Sequence, residues 1–323
     1  MTTNLRLKSV SRTALGIVLG LGLAGAVAFQ PARAFAQAVE ATPAPAAARV
    51  VPQAEGTGPA LWVVRDADST IYLFGTVHVL RPTTAWGSPR VDAAFNSASE
   101  IWFEITNPDD QAAVIPLVQQ YGISPARPLS SLLTAEEFAK LDAAAQTIGA
   151  SGAQIDIFRP WFAGLSLALA PLAKAGYDPN SGVELTLRAR AQAAGKPVKG
   201  LETLDEQIRI LAGMPEDEQL AFLRSTLDSF DEATTELDAL VNAWAAGDVA
   251  SIERLAVTEM QDQSQAMYDA LLVQRNANWA GQIQTLLAGS GTTFIAVGAA
   301  HLAGNESVQE ILETRGVDVE VAP

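Results

Sequence analysis

Apolar residues fall into two kinds of run along this chain. Near both ends of the predicted folded region the runs are short and rich in β-branched and aromatic residues: Leu61-Trp62-Val63-Val64, Ile71-Tyr72-Leu73-Phe74, Ile101-Trp102-Phe103 and Phe294-Ile295-Ala296-Val297. Such runs predict buried strands. The first two flank Asp66-Ala67-Asp68-Ser69, which suits a hairpin turn. Residues 89–98 read as a short helix ahead of a strand over 101–105. The end of the chain mirrors that order, with a helix over 307–314 after the strand over 294–297 and a closing strand over 317–321.

The middle of the chain has helical spacing instead. Thr134 with Glu137 forms a capping box before Phe138, Leu141 and Ala145. Pro160 starts a long apolar helix towards residue 175, and residues 217–246 carry leucines at helical spacing until Gly247, a pattern of core packing. Lys196-Pro197-Val198-Lys199-Gly200-Leu201-Glu202 interrupts the helices with a brief strand-like run and sets Glu202 beside a strand end. The expected class is α/β, with a largely helical insertion between two strand-rich ends.

Residues 1–36 read as a signal peptide. Arg6, Lys8 and Arg12 precede an uncharged run of 16 residues over 14–29, and Ala34-Phe35-Ala36 supplies the small residues that predict cleavage after Ala36. The run is shorter than the roughly 18 to 20 residues of a spanning helix, which speaks against a retained anchor. Residues 37–58, rich in Ala and Pro, read as a flexible leader. Residues 59–323 hold enough apolar length for one domain and contain no second linker.

Loss of residues 1–36 leaves 17 basic against 36 acidic side chains, a formal charge of −19. The charge argues against nucleic acid as a partner, and an anionic membrane surface is disfavoured. The same field draws divalent cations weakly, although an acidic surface that aids solubility accounts for it equally well. With no cysteine in the chain, thiolate metal sites, disulfides and cysteine nucleophiles are excluded.

The chain has two histidines, and both lie in a Gly-x-x-His pattern directly after a predicted strand: Gly75-Thr76-Val77-His78 and Gly298-Ala299-Ala300-His301. One such histidine is commonly a structural residue. Two in matching positions point to a shared site near the strand ends, where open α/β sheets bind ligands. No phosphate loop, EF-hand loop, His-Glu-x-x-His helix or Gly-x-Ser-x-Gly elbow is present.

These motifs occur with others in a fixed order: Leu61-Trp62, Tyr72 through Leu80, Arg159-Pro160-Trp161, Gly200-Leu201-Glu202-Thr203, Trp244 with Gly247-Asp248, Arg275-Asn276 with Trp279, and Val297 through Gly304. The order and spacing resemble the TraB/PrgY/GumN family over nearly the whole domain. More remotely they resemble the Tiki membrane-bound metalloproteases. The resemblance implies a mixed-sheet core of two related αβ halves, each contributing one Gly-x-x-His, with helices inserted between them. The Tiki likeness implies metal-dependent hydrolysis of peptide bonds.

Residue chemistry supplies candidate roles. Two imidazoles and one carboxylate are a sufficient set for a catalytic divalent ion, so His78, His301 and Glu104 are the expected metal ligands. Glu104 has competing readings: a solvent-facing edge residue or the partner of an arginine. A second carboxylate is needed to handle protons. Glu202 is preferred because the resemblance carries over onto it; Glu184 is the other candidate, equally explained as a helix-start acid. Arg275 suits a substrate carboxylate or a developing oxyanion, with Asn276 as a second donor, while pairing with a buried acid is the plainer account of the arginine. Trp86, Trp161 and Trp279 are expected in the core rather than in a cleft.

The expected function is that of an exported, periplasmic, metal-dependent hydrolase, a peptidase acting on a peptide or small-molecule substrate. The ion expected is manganese, cobalt, zinc or iron, which such ligands do not distinguish. The alternative is a noncatalytic protein that binds or sequesters a peptide, metal or small ligand. No stable membrane insertion is expected after signal cleavage, and oligomeric state is left open.

Overall fold

Alternate residues of the run 71–74 pack on opposite faces of one sheet: Tyr72 and Phe74 on one side, Ile71 and Leu73 on the other. The run 294–297 divides in the same way, with Phe294 and Ala296 against Ile295 and Val297. A strand apolar on both faces must be covered on both, which gives a layer of helices on each side. The computed structural model describes residues 50–107 and 110–323. The expected signal peptide and residues 37–49 of the leader lie outside the described residues.

Six strands form one mixed sheet in the order β4-β3-β5-β2-β1-β6. They are β1 (Leu61–Arg65), β2 (Ser69–Thr76), β3 (Glu100–Phe103), β4 (Val198–Gly200), β5 (Gly291–Gly298) and β6 (Val319–Val321). β1 and β2 form the expected antiparallel hairpin, and β6 adds antiparallel to β1. β2, β5, β3 and β4 run parallel, so their carboxyl ends share one edge of the sheet. β2 and β5 lie side by side with Gly75 opposite Val297 and Thr76 opposite Gly298, which brings the two Gly-x-x-His segments together one residue out of step.

Several boundaries differ from expectation for physical reasons. The apolar helix from Pro160 ends at Ala168, and a second helix runs Ala170–Lys174, because Pro171 has no N–H to continue the ladder. The leucine-bearing stretch is also two helices, Glu216–Asp228 and Ala233–Ala245. The first stops where Ser229 hydrogen bonds back to the carbonyl of Ser225 through both its N–H and its hydroxyl. The described end of the leader is held to the domain: the Pro52 carbonyl accepts from the N–H groups of Trp86 and Gly87.

The helical insertion has its own apolar cluster, which includes Leu129, Leu141, Leu167 and Leu223. Within it the helix Pro160–Ala168 crosses Glu216–Asp228 at Gly164, where an added Cβ would lie 2.7 Å from the Phe222 ring. Trp86, Trp161 and Trp279 are all buried, as expected. Among the described residues no helix is long and apolar enough to cross a membrane.

Candidate functional site

The four parallel strands each deliver one polar side chain at the same edge. His78 follows β2, Glu104 follows β3, Glu202 follows β4 and His301 follows β5. Glu104 therefore sits just past its strand rather than inside it. At 2 % exposure it is not the solvent-facing acid of the competing reading. The β3–β4 ladder continues one step further, with the Glu202 N–H on the Glu104 carbonyl at 2.9 Å, and this sets the two acids side by side.

Helices running back from this edge supply the rest. The helix Gln274–Leu287 starts here and buries Arg275 and Asn276 in its first turn. It follows a π-helical stretch, Asp269–Val273, whose Leu271 carbonyl accepts from Arg275 Nη1 at 3.0 Å. Helix Val183–Ala193 brings in Glu184. Its approach requires Gly182, because a Cβ there would lie 2.3 Å from the His78 carbonyl oxygen.

Both imidazoles are held through Nδ1. His78 Nδ1 is 2.7 Å from Glu184 Oε1, and the same oxygen accepts from the Thr76 hydroxyl. His301 Nδ1 is 2.6 Å from Asn276 Oδ1. Asn276 in turn donates Nδ2 to the Glu306 carbonyl, which fixes its amide orientation and makes His301 Nδ1 the donor. The Nε2 atoms are thereby set toward one carboxylate oxygen: each lies 3.9 Å from Glu104 Oε1. That oxygen also accepts the N–H of Gly298 at 2.7 Å.

Arg275 ties the acids together. Its Nη2 donates to Glu104 Oε2 at 2.7 Å and to Glu202 Oε1, and its Nε donates to Glu202 Oε2 at 3.1 Å. Nη1 approaches His301 Nε2 at 2.9 Å, donating to the bare nitrogen of that tautomer. The arginine is thus engaged by buried acids, the plainer of its two expected accounts. The ring of Trp279 lies beneath both, 4.6 Å from the guanidinium and 4.4 Å from the His301 ring.

Gln207 completes the cluster and was not signalled by any motif. Fully buried, it donates Nε2 to Glu104 Oε2 and to Glu202 Oε1, each at 2.9 Å. Its helix, Leu204–Ala212, also buries Leu204, Ile208 and Leu211, so the glutamine occupies a core-facing place in an apolar stripe. A polar residue at such a place is a readable signal.

Burial works against the charges of this cluster and the partners resist it. For His78 burial favours the neutral ring, but the charge and hydrogen bond of Glu184, then the charge of Glu104, outweigh it and raise the pKa. Glu184 is pushed up by burial, yet its pairing with His78 and the Thr76 hydroxyl leave it below the usual carboxylate range. Glu202 is raised, chiefly by burial, with Glu104 adding to it and Arg275 opposing.

Imidazole and carboxylate are donor types that bind divalent cations. Glu104 and Glu202 pair with the one guanidinium, Glu184 pairs with His78, and His78 Nε2 is a buried nitrogen without a hydrogen-bond partner. Metal-ligating histidines are commonly anchored through their second nitrogen in this way. As placed, no three His, Asp or Glu side chains among the described residues stand close enough to ligate one ion. The 3.9 Å separations exceed the about 3.4 Å between tetrahedral ligands on bonds near 2.1 Å, and Arg275 Nη1 lies on one of the nitrogens.

Comparison with known proteins agrees with the motif order. The chain is 25% identical over 271 residues to an uncharacterized protein of Treponema pallidum (strain Nichols), covering 79% of this chain and 80% of the relative. It is 24% identical over 258 residues to the uncharacterized protein YbaP of Escherichia coli (strain K12), covering 79% of this chain and 92% of the relative. YbaP of Shigella flexneri matches to the same extent. No solved structure matches significantly. The model of the TraB/PrgY/gumN family matches residues 60–321, a span that takes in all six strands and every residue of the histidine–glutamate cluster, and the chain belongs to that family.

Proposed function

We propose that this protein is an exported, divalent-cation-dependent hydrolase whose site is the cluster at the carboxyl ends of the parallel strands. The observation that carries the reading is the aim of His78 Nε2 and His301 Nε2 at one oxygen of Glu104, each ring anchored at Nδ1. We read the core as two related halves, supported by β2 and β5 lying parallel and adjacent with a Gly-x-x-His after each. A periplasmic address rests on the signal-like residues 1–36. Peptide bonds as the substrate class rest on the resemblance to the Tiki proteases.

His78, His301 and Glu104 would hold the ion. A divalent ion there supplies Lewis acidity toward a substrate carbonyl. Glu184 and Asn276 keep the ring nitrogens facing Glu104 in register. Glu202, its proton affinity raised by burial, is suited to take up a proton at Oε1 or Oε2 and return it. Arg275 keeps Glu104 and Glu202 from repelling each other.

The test is turnover. Purified protein incubated with a peptide library should release products, lose that activity on chelation and regain it with one divalent metal. Absence of products with every divalent ion would defeat the reading.

A noncatalytic binding protein is the second reading, and one observation favours it. Arg275 spans Glu104, Glu202 and His301, so a cation of the chain itself already neutralises the cluster. Stoichiometric binding of a ligand that is released intact would select this reading.

A further inference from the structure

A concave surface lies apart from the histidines. It is a groove of about 740 Å³ between the outer end of the sheet and the helix Val308–Thr314, and none of the cluster residues lines it. Its floor is apolar. Trp62 on β1 lies opposite Val321 on β6, and Val321 is 69% exposed, one of few large apolar side chains so placed among the described residues.

The rim is acidic. Glu253, Glu310 and Glu313 line the groove, and no cation among the described residues forms a salt bridge with any of them. Gly304 takes φ +83 where the chain passes Glu253, and an added Cβ would lie 3.4 Å from that carboxylate. The one basic side chain in the lining, Arg90, is committed to the main chain: Nη1 donates to the Ala322 carbonyl and Nη2 to that of Pro59.

A further polar group in the lining lacks a partner. Gln309 is only 8% exposed, and its Nε2 donates to the Leu302 carbonyl at 2.7 Å. That bond fixes the amide and leaves Oε1 a buried acceptor with no donor. An unsatisfied acceptor beside unpaired carboxylates and apolar floor calls for a ligand that brings N–H donors, positive charge and hydrocarbon together.

The edge of the sheet narrows the class. β6 ends the strand order, so its outer side has no strand partner among the described residues. An extended chain can pair with such an edge while its alternate side chains reach one face. We infer that this groove binds an extended basic peptide, its backbone along β6 and its lysine or arginine side chains between the Trp62–Val321 floor and the three glutamates.

The test is fluorescence anisotropy on the full chain with a labelled Lys-Val-Lys-Val-Lys peptide, a Glu-Val-Glu-Val-Glu control and spermidine as competitor. We expect saturable binding of the lysine peptide, weakened about tenfold or more in a Glu253→Gln, Glu310→Gln, Glu313→Gln variant. Gln309→Leu should also weaken it, circular dichroism establishing that both variants are folded. The glutamate peptide should not bind. Equal binding by the triple variant or by the glutamate peptide would overturn the inference. Displacement by spermidine at concentrations equal to the peptide would overturn it in favour of a free polyamine.

Discussion

Arg275 Nη1 lies 2.9 Å from His301 Nε2, so the chain's own buried cation stands where one expected metal ligand presents its lone pair. In the proposed site a divalent ion would compete with the guanidinium for the same carboxylates.

Replacing Arg275 by Gln should therefore destabilise the metal-free protein strongly, by about 3–5 kcal/mol, because Glu104 and Glu202 lose their countercharge while buried. Part of that loss should return on adding a divalent cation, more than the wild type gains. Thermal melts with chelator and with manganese or zinc measure both effects. An equal metal-induced shift in the two proteins would contradict the competition.

Gln207 bridges Glu104 and Glu202 through one amide nitrogen. Gln207→Leu should cost about 1–3 kcal/mol, the range for a buried hydrogen-bond partner lost. Gln207→Glu should cost more, since it sets a third carboxylate against the first two. Urea denaturation of the pair checks the order; a glutamate variant as stable as the leucine one would show that the acids do not feel each other.

How much of this was legible follows from the kind of signal each residue carries. Phe74 and Phe294 announce their strands through short β-branched and aromatic runs, and the capping box at Thr134 and Glu137 is present as read. The two Gly-x-x-His segments marked His78 and His301, an acid inside a predicted strand marked Glu104 and a strand end marked Glu202, because their type and position are local facts. Pairing is not local. That Glu184 holds His78 across 106 positions of sequence, or that Gln207 joins two acids, follows only from the folded sheet edge. Pro171 is a helix breaker whose signal is masked by the apolar run around it.

Gly182 should tolerate no side chain. A Cβ at that position meets the His78 carbonyl oxygen at 2.3 Å, a backbone atom that cannot rotate away. Gly182→Ala should cost about 1–3 kcal/mol, the range for overpacking, and should separate Glu184 from His78. Denaturation gives the cost, and the His78 ring chemical shifts report the separation. Wild-type stability in this variant would disprove the close approach.

Asp238 gives a pH dependence independent of the histidine site. The Arg81 hydrogen bond holds its carboxyl below the usual range, with burial opposing and the Tyr177 hydroxyl assisting. A carboxyl depressed in the folded state contributes stability above its unfolded pKa, near 3.9, and loses it as pH falls through the lower folded value. The wild type should therefore be more stable than Asp238→Asn at pH 7, and the gap should close as pH falls below about 4. Both partners are partly exposed, so the gap should be small and salt-sensitive. A gap that widens in acid would reverse the sign and refute the assignment.

The most direct test of the shared site is metal content by mass spectrometry on untagged protein, comparing wild type with His78→Ala and His301→Ala after incubation with manganese, cobalt and zinc. The account predicts about one ion per wild-type chain and little in either variant, since both imidazoles serve one site. An ion retained at wild-type occupancy by both variants, or none bound by the wild type, would contradict it.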